Sequence, residues 1–184
     1  MKPLEECRAR AGRLKLMAFD VDGVLTDNSL YFTDAGSEIK VFNARDGHGL
    51  RMLQAEGISV AIITGRSAAC VAWRMKNLGI EHVYQGIGDK LTAFHELLAK
   101  IGVEASAAGF MGDDVIDLQV MAACGFSATP ADGHELNRQR ADYLASLPGG
   151  RGAAREVCEF ILAAQGKLDA ALARHLPFQP VSGK

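Results

Sequence analysis

Lys15-Leu16-Met17-Ala18-Phe19-Asp20-Val21-Asp22-Gly23-Val24-Leu25-Thr26 joins an apolar run to a pair of carboxylates. The run predicts a buried strand over Lys15–Asp20, with Asp20 at its end and Asp22 just before a glycine. In open α/β sheets ligands bind beyond the carboxyl ends of the strands. Two carboxylates there repel each other unless a cation lies between them. Oxygen-only ligands suit Mg²⁺, which keeps several waters and takes one or two carboxylates plus phosphate oxygens.

The pattern recurs at Gly112-Asp113-Asp114-Val115-Ile116-Asp117, where the apolar segment Ala107–Gly112 ends. In a parallel sheet both strand ends lie on one rim, which then collects up to five carboxylates. Helix capping accounts for one or two of them, not for all. Further strands are expected at Ile58–Thr64 and His82–Tyr84, with weaker signals at Phe126–Thr129 and Tyr143–Leu144. Apolar stripes at helical spacing lie between and after them: Val71, Met75, Leu78; then Leu91, Phe94, Leu98, Ile101; then Ala154, Val157, Cys158, Ile161, Leu162. These are read as core positions. Strand and helix alternate, which predicts an α/β fold of three Rossmann-like layers with a mostly parallel sheet. Residues 28–43 break the alternation and read as a β-hairpin inserted after the first strand, with Leu30/Phe32 and Ile39/Val41 alternating about a turn at Thr33–Ser37. Residues 166–184 are expected to be a tail, a short helix followed by an extended stretch from Leu176.

Composition narrows the function classes. The 184 residues carry 20 Lys+Arg against 22 Asp+Glu, so no positive excess exists to grip a nucleic-acid backbone. The longest apolar run is the six residues Ala68–Trp73, far short of the roughly 20 that a membrane span needs. The acidic amino terminus lacks the apolar core of a secretory signal. Cys7, Cys70, Cys124 and Cys158 show no metal-binding spacing, which fits reduced thiols in a cytoplasmic protein. The chain reads as one domain over 1–184.

Two further pieces lie between the acidic clusters. Thr64-Gly65-Arg66-Ser67 follows a buried strand and reads as the opening of a helix, where a hydroxyl and free N–H groups make an anion site. Lys90 follows Gly88-Asp89 at the start of the next helix, where an amine can neutralise a transferring phosphoryl group.

In the order DxD, TGR, Lys and GDDxxD, these pieces resemble the four motifs of the haloacid dehalogenase-like (HAD) phosphatase superfamily, over about residues 14 to 130. The resemblance implies that Asp20 is a nucleophile forming an aspartyl-phosphate and that Asp22 is the general acid/base. It implies that Thr64 and Lys90 hold the phosphoryl group, with Gly65 supporting. Mg²⁺ would be held by the Asp20 carboxylate, the Asp22 backbone carbonyl and Asp113, with Asp114 and Asp117 as support.

Thr64 follows Asp20 by 44 residues and Asp113 follows Lys90 by 23, which leaves no room for a folded cap domain. A site open on one copy suggests closure by a neighbouring subunit, through the hairpin or the tail. The hairpin, the next turn Asn43-Ala44-Arg45-Asp46-Gly47-His48-Gly49, and Gly149-Gly150-Arg151-Gly152-Ala153-Ala154-Arg155-Glu156 resemble the 3-deoxy-D-manno-octulosonate 8-phosphate (KDO 8-phosphate) phosphatase family. That resemblance implies a capless homotetramer with hairpins packed centrally, acting in lipopolysaccharide biosynthesis on an acidic sugar phosphate. Arg45, Arg51, Arg66 and Arg74 can supply cationic forks for the substrate carboxylate. Asn43, Ala44, Asp46 and Gly47, with Asp22 and Lys90, complete the expected substrate set, and Arg151 is expected to reach a neighbouring site. Trp73 is expected in the core or at an interface.

A nonulosonate 9-phosphate such as N-acylneuraminate 9-phosphate is the alternative substrate, because it too is a long-chain keto acid with a terminal phosphate. A non-catalytic HAD-like binding module is disfavoured by the intact DxD pair and GDDxxD. A two-component receiver domain is disfavoured by motif order, since its acidic pair precedes the phosphorylated Asp.

Overall fold

A computed structural model describes residues 3–176. In chain order the elements are α1 (Leu4–Ala11), β1 (Leu16–Phe19), β2 (Tyr31–Phe32), β3 (Glu38–Ile39), α2 (Ala44–Ala55), β4 (Ser59–Ile63), α3 (Ala69–Leu78), β5 (His82–Tyr84), α4 (Lys90–Ile101), β6 (Ala108–Met111), α5 (Leu118–Ala123), β7 (Phe126–Thr129), α6 (Glu135–Arg140), β8 (Tyr143–Leu144), α7 (Ala153–Ala164) and α8 (Leu168–Ala173). Six strands form one sheet in the order β5-β4-β1-β6-β7-β8, and every pairing in it is parallel. β2 and β3 form a separate antiparallel pair.

β1 shows why the sheet is covered on both sides. All four of its residues are buried, and successive side chains point to opposite faces. Met17 and Phe19 enter a core with Leu50, Leu53, Met75, Val157 and Ile161, under the layer of α1, α2, α3, α7 and α8. Leu16 and Ala18 enter the opposite core with Phe94, Leu97, Phe110 and Val120, under α4 and α5. The three-layer fold and the hairpin after β1 agree with the sequence reading, and among the described residues no cap domain interrupts the chain. No described helix is long and apolar enough to cross a membrane.

The structure revises several details. On α4, Ala93 and Leu97 join Phe94 and Leu98 on the inner face, while Leu91 and Ile101 are only half-buried. α1 was not foreseen, because only Cys7 and Ala11 of its eight residues are buried and its apolar signal is weak. The hairpin strands shrink to two paired residues each. Asn43–Gly49 is the start of α2 and not a turn, because the Asn43 side chain accepts from the N–H groups of Arg45 and Asp46 as an N-cap. Trp73 is 70% exposed on α3, so it is not a core residue. The tail begins with the expected helix, α8, and the stretch expected to be extended lies from residue 177 onward outside the described residues.

Phe94 is fully buried and meets Phe110 edge to face at a centroid distance of 6.5 Å. Phe94→Ala removes that aromatic and opens a cavity, and should lower the unfolding free energy by about 3–5 kcal/mol. Urea denaturation followed by circular dichroism measures it; a loss under about 1 kcal/mol would contradict this packing.

Candidate active site

β1, β4 and β6 are neighbours in register, with Phe19 opposite Ile62 on one side and Met111 on the other. The residues just past these strands therefore share one rim. The Asp20 N–H donates to the Met111 carbonyl at 3.0 Å, carrying the ladder one residue beyond β1 and fixing the Asp20 backbone beside Gly112.

Three carboxylates and one ammonium meet there. Lys90 Nζ lies 2.6 Å from Asp20 Oδ2 and 2.7 Å from Asp117 Oδ1, and all three groups are buried. Asp89 caps α4 by accepting from Leu91 N and Thr92 N, and so sets Lys90 as its first residue. Asp117 Oδ2 accepts from the N–H groups of Asp113 and Asp114 at 3.0 and 3.2 Å. Asp114 closes a reciprocal capping box with Asp117 and is itself exposed. Both Asp117 oxygens are thus occupied, and the residue acts as a strut. Asp113 has far less support, a hydrogen bond from Asn28 Nδ2 to its Oδ2 at 3.5 Å.

This imbalance shows in the acidities. Burial, reinforced by Asp20, Asp117 and Asp114, pushes the Asp113 carboxyl up to about 8, against the pull of Lys90. Burial, followed by the charge of Asp117, raises Asp20 to about 6, again opposed by Lys90. One oxygen from each of Asp20, Asp113 and Asp117 lies within 4.8 Å of the others. A buried all-oxygen cluster with more negative than positive charge fits a hard divalent cation. Asp117 already accepts three hydrogen bonds against two for Asp20 and one for Asp113, so Asp20 and Asp113 keep the greater acceptor capacity to hold it.

Gly23 makes the approach possible. A Cβ at that position would sit 1.9 Å from Asp113 Oδ2, and its φ of +81° is one that side-chain-bearing residues rarely adopt. From behind, Gly149 packs so tightly that a Cβ there would lie 1.8 Å from the Gly23 carbonyl oxygen. Gly150 N–H donates to Val24 O at 2.9 Å. The double glycine before α7 is a clamp on the Asp20–Thr26 loop.

Asp22 belongs to a second charged group. Its Oδ1 is paired with Lys40 Nζ, which also lies 2.6 Å from Glu38 Oε1. Arg66 closes the circuit, with Nη2 3.2 Å from Glu38 Oε2 and Nε 4.0 Å from Asp22 Oδ2. Burial opposes the charge on Lys40, but Asp22 and Glu38 outweigh it and hold its pKa above the usual value.

No family model matches the chain. It is 49% identical over 163 residues to the 3-deoxy-D-manno-octulosonate 8-phosphate phosphatase KdsC of Escherichia coli (strain K12), an alignment covering 89% of this chain and 87% of the relative. The chain belongs to the KDO 8-phosphate phosphatase family. The phosphatase of Moraxella catarrhalis, crystallised with magnesium, phosphate and KDO, superposes with a TM-score of 0.92 at 44% identity, covering 95% of this chain and all of that one. The Yersinia pestis phosphatase gives a TM-score of 0.88 at 47% identity, covering 90% and 89% of the two chains.

Against that family, the residues expected from the sequence fall into distinct groups. Asp20, Lys90, Asp113 and Asp117 meet at the rim, and Asp22 and Arg66 share the second group. Thr64 is buried just past β4, its N–H bonded to Tyr84 O and its carbonyl to Ile87 N–H. Helix α3 does not open there as expected. The Gly86 N–H donates to Arg66 O, tying Gly65–Ser67 to the loop after β5, and the helix starts only at Ala69.

Two expected substrate contacts are turned inward. Asp46 is 1% exposed, and its oxygens accept from Arg155 N at 2.8 Å and Gly152 N at 3.2 Å, where the dipole of α7 favours an anion. Asn43 spends Oδ1 on capping α2 and Nδ2 on Gly150 O. Both join α2 to α7 and are not presented as open hydrogen-bonding groups. Arg74 lies against the bare α-carbon of Gly47, with its Nε buried and unpartnered. Ala44, Arg45 and Arg51 are exposed along α2, and Arg45 sits in its first turn instead of a loop. Arg151 pairs with Asp27 of its own chain at 3.0 Å. Lys40 and Glu38 were not foreseen; the signal was the outward alternation of Ile39 and Val41, which turns Glu38 and Lys40 the other way.

Lys90→Met would leave Asp20 and Asp117 buried beside each other without a counter-charge. The unfolding free energy in EDTA should drop by roughly 3–5 kcal/mol. Chemical denaturation measures this, and an unchanged midpoint would show that Lys90 is not what balances the pair.

Proposed function

We propose that this chain is a Mg²⁺-dependent phosphatase that hydrolyses KDO 8-phosphate to KDO and inorganic phosphate, in the cytoplasm and on the route to lipopolysaccharide. The observation that carries the reading is the buried Asp20–Lys90–Asp113–Asp117 cluster at the sheet rim of a chain 49% identical to KdsC. The KDO, magnesium and phosphate bound by the Moraxella relative favour the octulosonate over a nonulosonate substrate. We read residues 1–184 as one HAD-like domain, with the insertion at 28–43 and the tail at 166–184.

In this reading Asp20 is the nucleophile. Its two oxygens accept from Val21 N–H and Lys90, yet a carboxylate offers about four lone-pair directions, so capacity remains for attack. An Asp20 oxygen bonds to phosphorus, the ester P–O bond breaks, and the departing alkoxide takes a proton from Asp22. Asp22 then withdraws a proton from water as that water attacks the aspartyl-phosphate, which releases phosphate and restores Asp20. Lys90 and Thr64 hold the phosphoryl group between these steps. Mg²⁺, held by Asp20, the Asp22 carbonyl and Asp113, would mask the repulsion between carboxylate and phosphate dianion. Arg66 is the arginine best placed for the substrate carboxylate, since it is partly exposed beside Asp22.

We also propose a homotetramer in which an adjacent subunit closes the site. Leu30, Tyr31, Phe32, Ile39 and Val41 are each about half exposed on the hairpin, a cluster of apolar surface that supports burial against other copies.

Phosphate release from KDO 8-phosphate, N-acylneuraminate 9-phosphate and glucose 6-phosphate tests the substrate. KDO 8-phosphate should be turned over fastest; equal turnover of the hexose phosphate would defeat the keto-acid reading. Asp20→Asn should lose at least about a thousandfold in kcat while still folding. EDTA should abolish turnover and added Mg²⁺ should restore it.

A further inference from the structure

Lys40 is the buried cation of the site that the proposed reaction leaves without a task. Its side chain is 1% exposed, and it lies between Asp22 Oδ1 and Glu38 Oε1. Glu38 and Lys40 are two residues apart on one face of the strand, whereas Ile39 and Val41, 50% and 58% exposed, point the other way. Glu38 is held in turn by Arg66 at 3.2 Å. The two oxygens of Asp22 are therefore not equivalent. Oδ1 is held in hydrogen-bond contact by the ammonium, while Oδ2 is buried without a hydrogen bond and has Arg66 Nε only as near as 4.0 Å.

An ammonium has three donors and no acceptor. The oxygen it occupies is a poor place for a proton, because protonation would make that oxygen the weaker acceptor and cost the charge-assisted bond. We propose that Lys40, fixed by Glu38, is a positioning residue that reserves Asp22 Oδ1 and so assigns the travelling proton to Oδ2. Oδ2 carries the proton given to the leaving alkoxide as the ester P–O bond breaks, and Oδ2 receives the proton taken from the attacking water. This rests on the reading of Asp22 as the general acid/base.

The test compares the full-length protein with Lys40→Met, Glu38→Gln and Asp22→Asn, under single-turnover conditions with Mg²⁺. Two esters are used: KDO 8-phosphate, whose alkoxide needs a proton to depart, and p-nitrophenyl phosphate, whose leaving group departs as a stable anion. General acids contribute roughly a hundredfold to ten-thousandfold. Lys40→Met should slow KDO release by about tenfold or more and p-nitrophenolate release by less than about threefold, with melting temperatures recorded for every variant. Glu38→Gln should give the same split, smaller, and decides the matter if Lys40→Met does not fold. Asp22→Asn should give the largest split. If Lys40→Met and Glu38→Gln slow both esters equally, or neither, while Asp22→Asn discriminates, the role given to Lys40 is wrong. If Asp22→Asn itself fails to discriminate, the acid/base reading is wrong and the inference falls with it.

Discussion

Three buried carboxylates share one ammonium at the rim of the sheet, and most of the surrounding structure can be traced to the work of keeping them together. Unpaired charge in a low-dielectric setting is expensive, and neutralisation by proton uptake is the usual escape. The raised pKa values of Asp20 and Asp113 follow from that penalty, with Lys90 alone supplying the counter-charge. A divalent cation removes the need for that proton. The same surplus of negative charge that strains the folded chain is thus what creates affinity for a metal and, with it, for a phosphate dianion.

The parallel sheet supplies the placement. A strand flanked on both sides by parallel neighbours delivers three chain ends to one edge, and β1 holds that position between β4 and β6. The loops leaving these strands have different purposes. After β1 the chain turns sharply at Gly23 so that Asp113 can lie against its backbone. After β6 it enters a capping box that takes up Asp117 Oδ2, Lys90 takes up Oδ1, and Asp113 is left poorly satisfied. Asp117 therefore orients while Asp113 stays available, a difference that composition and spacing alone do not draw.

This difference marks how far the sequence could be read. The strand ends, the lysine and the acidic clusters were legible because each combines a local pattern with a charge that an apolar context makes costly. The allocation of polar groups was not. Asn43 and Asp46 carry the chemistry expected of sugar-binding residues, yet their partners are backbone groups: N–H groups of α2 and the Gly150 carbonyl for Asn43, and N–H groups at the start of α7, about a hundred residues away, for Asp46. Glycines misled for a related reason. Gly47 and Gly49 suggested a turn, but a Cβ at Gly49 would come within 3.1 Å of Arg155 Cα, so the missing side chain serves the close approach of α2 and α7. Long-range packing leaves no trace in local periodicity, and these positions are decided by it.

The hairpin shows how one short strand can serve two surfaces. A period of two sends Ile39 and Val41 outward and Glu38 and Lys40 toward Asp22. A slip of one residue would exchange the faces, placing apolar groups against Asp22 and charges on the outside. β2 and β3 pair over only two residues each, a ladder too short to set that register by backbone bonds alone. The ring of Asp22, Lys40, Glu38 and Arg66 supplies what the ladder lacks, because it holds the return strand to the sheet rim through side chains. The charges that bracket Asp22 and the exposed apolar face are therefore fixed by the same register, so the hairpin cannot present one correctly without the other.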